Sequence, residues 1–114
     1  MNESLKAMQA EMGEHVVEAH AQYATVDEEL YDAYLAWRSA MLDSGTIPRK
    51  DKLLMVIALL TAQRDIMPLK LYAQIARSQG ATAQELKEAL RVGILFSGGA
   101  GVDAASSVVD LLVD

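Results

Sequence analysis

The chain has 114 residues, 16 acidic and 10 basic side chains, a net charge of −6 and no cysteine. That length fits one domain over residues 1–114. Without cysteine there is no disulfide framework, thiolate metal site or thiol redox catalysis, and the acidic balance argues against nucleic acid as a partner. A hydrophobic share of 52% is that of a globular chain, not a disordered one. With one Trp, one Phe and four Tyr the core has to be aliphatic. A core so small gains from association of subunits.

Residues 1–14 mix apolar and charged positions and hold no apolar core of a secretory signal. The longest apolar run, Leu53 to Ala62 broken only by Thr61, is about half of what a bilayer requires. The expectation is a cytoplasmic chain without a membrane partner.

Helical periodicity runs through nearly the whole sequence, with no alternating strand pattern. A first helix is expected from about residue 3 to 22, with Leu5, Met8, Met12, Val16 and Ala19 in one stripe. Thr25 and Glu28 form a capping-box pattern. A second helix then runs to about Leu42 with two stripes, Leu30–Tyr34–Trp37–Met41 and Tyr31–Leu35–Leu42, so it should meet more than one partner element. Pro48 opens a third helix, about 48–65, apolar on all sides from Leu53 to Leu60 and so expected to be surrounded by protein. Pro68 lies in the first turn of a fourth, about 67–79, which Gly80 ends. Thr82 and Glu85 make a second capping box for a fifth helix to about Phe96, in which Gly93 allows close approach of a neighbour. After Gly98, Gly99 and Gly101 a last helix runs from about Val102 to the C-terminus. The reading is all-α: an antiparallel bundle of about six helices with short connections.

Charge is uneven. Residues 1–47 carry −7, residues 48–92 carry +4 and residues 93–114 carry −3. The acidic and basic parts complement each other within or between subunits, or the basic middle lines a site for an organic anion. His15 and His20, five apart, do not share a helix face. His15 with Glu11 or Glu18 is a weak cation pair at most, so neither metal nor cofactor is expected.

From the third helix on, five pieces follow in order: Pro48–Leu54 (PRKDKLL), Ile57–Leu59, Ala76–Thr82 (ARSQGAT), Glu85–Leu90 (ELKEAL) and Phe96–Gly99. In this order and spacing the sequence resembles the carboxymuconolactone decarboxylase family, which also includes the alkylhydroperoxidase D-like proteins. The resemblance covers about residues 45–105. It implies an all-α bundle assembled as a homo-oligomer, a trimer or hexamer.

The peroxidase branch of that family carries a Glu on the apolar helix, a Cys-x-x-Cys pair and a following His. Aligned on Ala76 and Gly80, the Cys positions fall on Asp65 and Pro68, the His position on Tyr72 and the Glu position near Leu53. Thiol peroxidase activity is therefore excluded. The decarboxylase branch has charged residues in place of the Cys pair, and the stretch Thr61–Tyr72 is more like that branch, but it usually keeps the His. The resemblance then implies a cofactor-free lyase or isomerase acting on a small organic acid or lactone. Arg64 and Lys70 would bind the carboxylate or enolate, Tyr72 would donate a proton and Asp65 would orient the cation. The competing reading, which the missing His favours, is a non-catalytic ligand-binding or interaction module. In it Arg64 and Asp65 form a solvated helix end or an ion pair between subunits, Lys70 is exposed and Tyr72 is a core tyrosine.

Overall fold

The computed structural model describes Lys6 and residues 14–114, with the backbone alone over 14–18. The proposed stripe from Leu5 to Val16 and the His15 pairing with Glu11 or Glu18 lie outside the described side chains. The described residues form six α-helices and no strand, in two compact units, Met1–Pro48 and Arg49–Asp114.

In the first unit α1 (Glu14–Val26) and α2 (Glu28–Asp43) are separated by Asp27 alone. Asp27 is the N-cap of α2. Its carboxylate accepts from the Leu30 N–H at 3.2 Å and from the Tyr23 hydroxyl at 3.1 Å. The capping box expected at Thr25 and Glu28 is thereby corrected. α1 continues four residues past Gln22, and the Thr25 hydroxyl turns back to donate to the Gln22 carbonyl at 2.7 Å. A carboxylate three residues ahead of the Leu30 N–H is the better-placed acceptor. Of the two α2 stripes, Tyr31 and Leu42 are buried, whereas Leu30, Trp37 and Met41 are half exposed. Tyr34 stacks on both His20 and Trp37, with ring centroids 6.1 and 6.2 Å apart.

The second unit holds α3 (Arg49–Gln63), α4 (Ile66–Ser78), α5 (Ala83–Ser97), α6 (Gly99–Ser106) and a 3₁₀ turn, Val109–Leu111. α3 is its centre and packs on α4, α5 and α6. Lys50 meets Glu85 at 3.1 Å near the start of α3 and α5. Farther along, Gly93 sits against Ala58 and Thr61. The tightest helix pair therefore runs parallel. α4 must return from the end of α3 to the start of α5, a distance its 13 residues cover at about 1.5 Å each. Within this unit α4 thus runs antiparallel to both α3 and α5, as the short connections implied.

The ends follow the sequence closely. Gly80, at φ 102°, takes the left-handed conformation that ends α4. Its N–H bonds the Arg77 carbonyl and the Ala81 N–H bonds Ala76 at 2.9 Å, the Schellman pattern. The Thr82–Glu85 capping box is complete in both directions, each bond 3.0 Å long. Thr82→Ala is expected to cost about 1 kcal/mol, read as a lower midpoint in urea with an unchanged slope.

One expectation needs correction. The last helix starts at Gly99 and stops at Ser106, because Gly98 at φ 63° reverses the chain at once. Its end is set where the Ser106 and Ser107 hydroxyls turn back onto the Asp103 and Ala104 carbonyls. The apolar positions of α3 differ in burial. Leu53, Ile57 and Thr61 are fully buried, but Met55 and Leu59 are 50% and 60% exposed. The helices packed on α3 cover one side of it and leave the other open.

Candidate functional site

The α3–α4 corner is two residues long, Arg64 and Asp65. The Asp65 N–H bonds the Leu60 carbonyl at 3.0 Å and the Arg64 N–H bonds Thr61 at 3.1 Å. This repeats the arrangement at Gly80, with an arginine in the position glycine normally fills. Arg64 has φ 59°, and among the described residues it alone of the non-glycines has a positive φ. A side chain there costs about 1 kcal/mol or more, so the fold holds the guanidinium at this corner against a local preference.

Asp65 is the N-cap residue of α4. Its carbonyl accepts from the Leu69 N–H at 3.0 Å, and its carboxylate makes no capping bond. Arg64, Asp65 and Lys70 are exposed and Tyr72 is half-buried. By the helical repeat, Asp65, Leu69 and Tyr72 fall along one side of α4, and Lys70 lies roughly 160° around from Tyr72. Asp65 and Tyr72 thus share a side of α4 about 10 Å apart along its axis, Lys70 stands on another face, and none of Arg64, Asp65, Lys70 and Tyr72 lines either of the two grooves described below. Leu69 is fully buried and anchors the turn that carries Tyr72.

Two grooves went unread in the sequence. One, of about 330 Å³, lies in the first unit and is lined by Ala19, His20, Tyr23, Leu30, Tyr31 and Tyr34. The signal was present as aromatic residues on facing sides of a one-residue corner. Burial, and then the Arg38 charge, hold the His20 imidazole below its ordinary pKa. The folded unit therefore prefers neutral His20. Its contribution to stability is full above pH 6.5 and fades as pH falls through the lowered folded value. Thermal melts should show a drop between pH 7.5 and 5 that shrinks in His20→Gln.

The other groove, of about 500 Å³, runs between α3 and α5, lined by Asp51, Leu54, Met55, Ala58, Glu85, Glu88, Ala89 and Val92. Its signal was a matched spacing, 51–54–55–58 on α3 against 85–88–89–92 on α5. The Thr82 N–H, and then the Lys50 ammonium, hold the Glu85 carboxyl below its usual pKa, so Glu85 serves the capping box and the ion pair. Among the described residues no three His, Asp or Glu side chains gather as a metal site, and no helix is long and apolar enough to cross a membrane.

These features were compared with known proteins. A crystal structure from Burkholderia xenovorans LB400, of a protein assigned as a carboxymuconolactone decarboxylase, superposes with a TM-score of 0.72 at 26% identity, covering 94% of this chain and 86% of the other. No curated protein sequence matches. The carboxymuconolactone decarboxylase family model matches residues 28–111, which take in the corner and every helix from α2 onward. With that match and with the all-α architecture, the chain belongs to the carboxymuconolactone decarboxylase family.

Proposed function

We propose that this chain is a thiol-free member of its family that acts as a cofactor-free lyase or isomerase on a small unsaturated organic acid or lactone acid, at the α3–α4 corner. The carrying observation is Arg64, a permanent cation kept in a left-handed conformation next to Asp65, on whose side of α4 Tyr72 follows two turns on. The relative from Burkholderia xenovorans LB400 supports the reaction class. On the same reading the protein is cytoplasmic.

In the proposed reaction Arg64 binds the substrate carboxylate or the oxygen of the conjugated carbonyl. As the carbon–carboxylate bond breaks, CO₂ leaves and its electron pair passes into the conjugated system, giving an enolate. The guanidinium stabilises that oxyanion, which is where charge develops. The Tyr72 hydroxyl donates a proton to carbon and is reprotonated by water. Asp65, next to Arg64, steers the guanidinium. Lys70, on another face of α4, adds long-range attraction for an anion and is not needed in contact.

The test is a panel of unsaturated lactone carboxylic acids followed by NMR in D₂O. The expected result is loss of the carboxyl carbon with one deuterium taken up at a carbon of the conjugated enolate. Binding without turnover across the panel would replace this reading by the non-catalytic ligand-binding module, and neither binding nor turnover would overturn both.

A further inference from the structure

The groove of the first unit is built from α1 and α2 alone, and the proposed reaction uses none of its residues. We infer that it binds a small quaternary ammonium cation. Tyr23, Tyr31, Tyr34 and His20 supply its rings, Ala19 and Leu30 add aliphatic surface, and the lining is almost wholly carbon. His20 meets Tyr31 edge-on at 5.5 Å and lies nearly parallel to Tyr34 at 6.1 Å, and Tyr31 and Tyr34 are 6.0 Å apart. These rings form one continuous wall. A ring face carries the negative part of the quadrupole and attracts a cation within about 6 Å of its centroid. The cluster already holds one cation in this way. The Arg38 guanidinium lies 5.9 Å from the Tyr34 centroid and does not line the groove. The groove volume of about 330 Å³ stands at the small end of small-ligand sites, ~300–1,000 Å³.

Charge selects the occupant. Residues 14–47 hold seven Asp and Glu, and Arg38 is their single Lys or Arg. Asp27, Glu28 and Glu29 stand at the corner that joins α1 to α2, between the groove residues Tyr23 and Leu30. An anion would be repelled by that corner and a cation drawn to it. The Tyr23 hydroxyl donates to the Asp27 carboxylate at 3.1 Å. That bond leaves more electron density on the phenol ring and strengthens its face toward a cation. His20, which the fold keeps neutral, adds a ring to the wall and no opposing charge. A primary ammonium entering a carbon lining would leave N–H groups without acceptors, which is costly. A quaternary ammonium has no N–H to satisfy, and its methyl groups pack on the rings.

Calorimetric titration of the full chain with choline, and with its uncharged isostere 3,3-dimethylbutan-1-ol, tests this. Choline is expected to bind, and the alcohol to bind roughly tenfold more weakly, since the two differ in charge and hardly in shape. Tyr23 is 48% exposed, so Tyr23→Leu should keep the fold, as judged by an unchanged thermal midpoint. It removes one ring face and should weaken choline by about fivefold, whereas Tyr23→Phe, which keeps the face, should lose less. A parallel arm uses phosphatidylcholine vesicles. Binding to vesicles as well as to choline would assign the cation to a lipid headgroup, and binding to choline alone to a dissolved cation. No choline binding at millimolar concentration would overturn the inference. So would equal affinity for the uncharged alcohol, full affinity in Tyr23→Leu, or equal losses in Tyr23→Phe and Tyr23→Leu.

Discussion

Gly93→Ala is expected to destabilise the second unit by about 3 kcal/mol, the upper part of the range for overpacking a tight contact. For a unit of this size that is a fall in Tm on the order of 10–20 °C. A Cβ on Gly93 would stand 2.5 Å from the Thr61 Cβ and 2.6 Å from the Ala58 carbonyl oxygen. Neither neighbour can swing aside. The Thr61 Cβ is fixed to its backbone, and its hydroxyl is bonded to the Ile57 carbonyl at 2.8 Å. The helices would have to separate, loosening the packing of Leu53, Ile57 and Leu86, all fully buried. Thr61→Ala should therefore rescue Gly93→Ala only in part, because it removes the methyl and hydroxyl but leaves both close atoms in place.

Two other glycines calibrate the effect. At Gly101 the first atom a Cβ would meet is the rotatable Ser97 hydroxyl, with the Ile94 Cα at 3.2 Å. Gly101→Ala should cost less, about 1 kcal/mol, chiefly by displacing the Ser97 hydroxyl from the Gly93 carbonyl. At Gly99 nothing lies within 4 Å, so alanine there should be neutral or stabilising by about 0.5 kcal/mol through the unfolded chain. Urea melts that rank Gly93→Ala within 1 kcal/mol of Gly99→Ala would show that α3 and α5 do not depend on this approach.

The same contact shows what was legible in the sequence. Gly93, between Leu90 and Ile94, could be read as a point of close approach because every alternative residue adds bulk to a packed face. Gly80 and the Thr82–Glu85 box could be read because their bonds are local, within five residues. Thr25 misled because the same hydroxyl can cap the next helix or bond back into its own. The choice between them depends on where Asp27 sits, three residues ahead of an open N–H. The apolar circumference of α3 was read as enclosure, although periodicity reports only which residues prefer to leave water and says nothing of what covers them. The strained backbone at Arg64 left no mark on the sequence at all, since an arginine after a helix is ordinary. Only the paired bonds to Leu60 and Thr61 show that it occupies a glycine position.

That strain makes Arg64 an unusually clean probe of the proposed chemistry. Arg64→Gly relieves a left-handed residue of its Cβ, worth about 1 kcal/mol. The added freedom of the unfolded chain offsets this by roughly 0.5–1 kcal/mol, so Tm should hold steady or rise slightly. Binding of an organic acid should nevertheless weaken by about 10–100-fold, the effect of losing a charge-assisted bond of about 1.5–3 kcal/mol. Tyr72→Phe removes one hydroxyl from a half-buried ring and should lower kcat by about 100-fold or more, the usual share of a general acid, with KM nearly unchanged. The two variants thus separate by binding: Arg64→Gly weakens affinity and also lowers kcat, since the same guanidinium stabilises the enolate oxyanion, whereas Tyr72→Phe lowers kcat alone. Lys70→Ala, on another face of α4, should alter kcat/KM only modestly and mainly at low salt, as expected of long-range attraction. If Arg64→Gly kept full affinity for every acid the wild type binds, the corner would be a helix end and nothing more. Turnover unaffected in Tyr72→Phe would move the proton donor elsewhere while leaving the anion site intact.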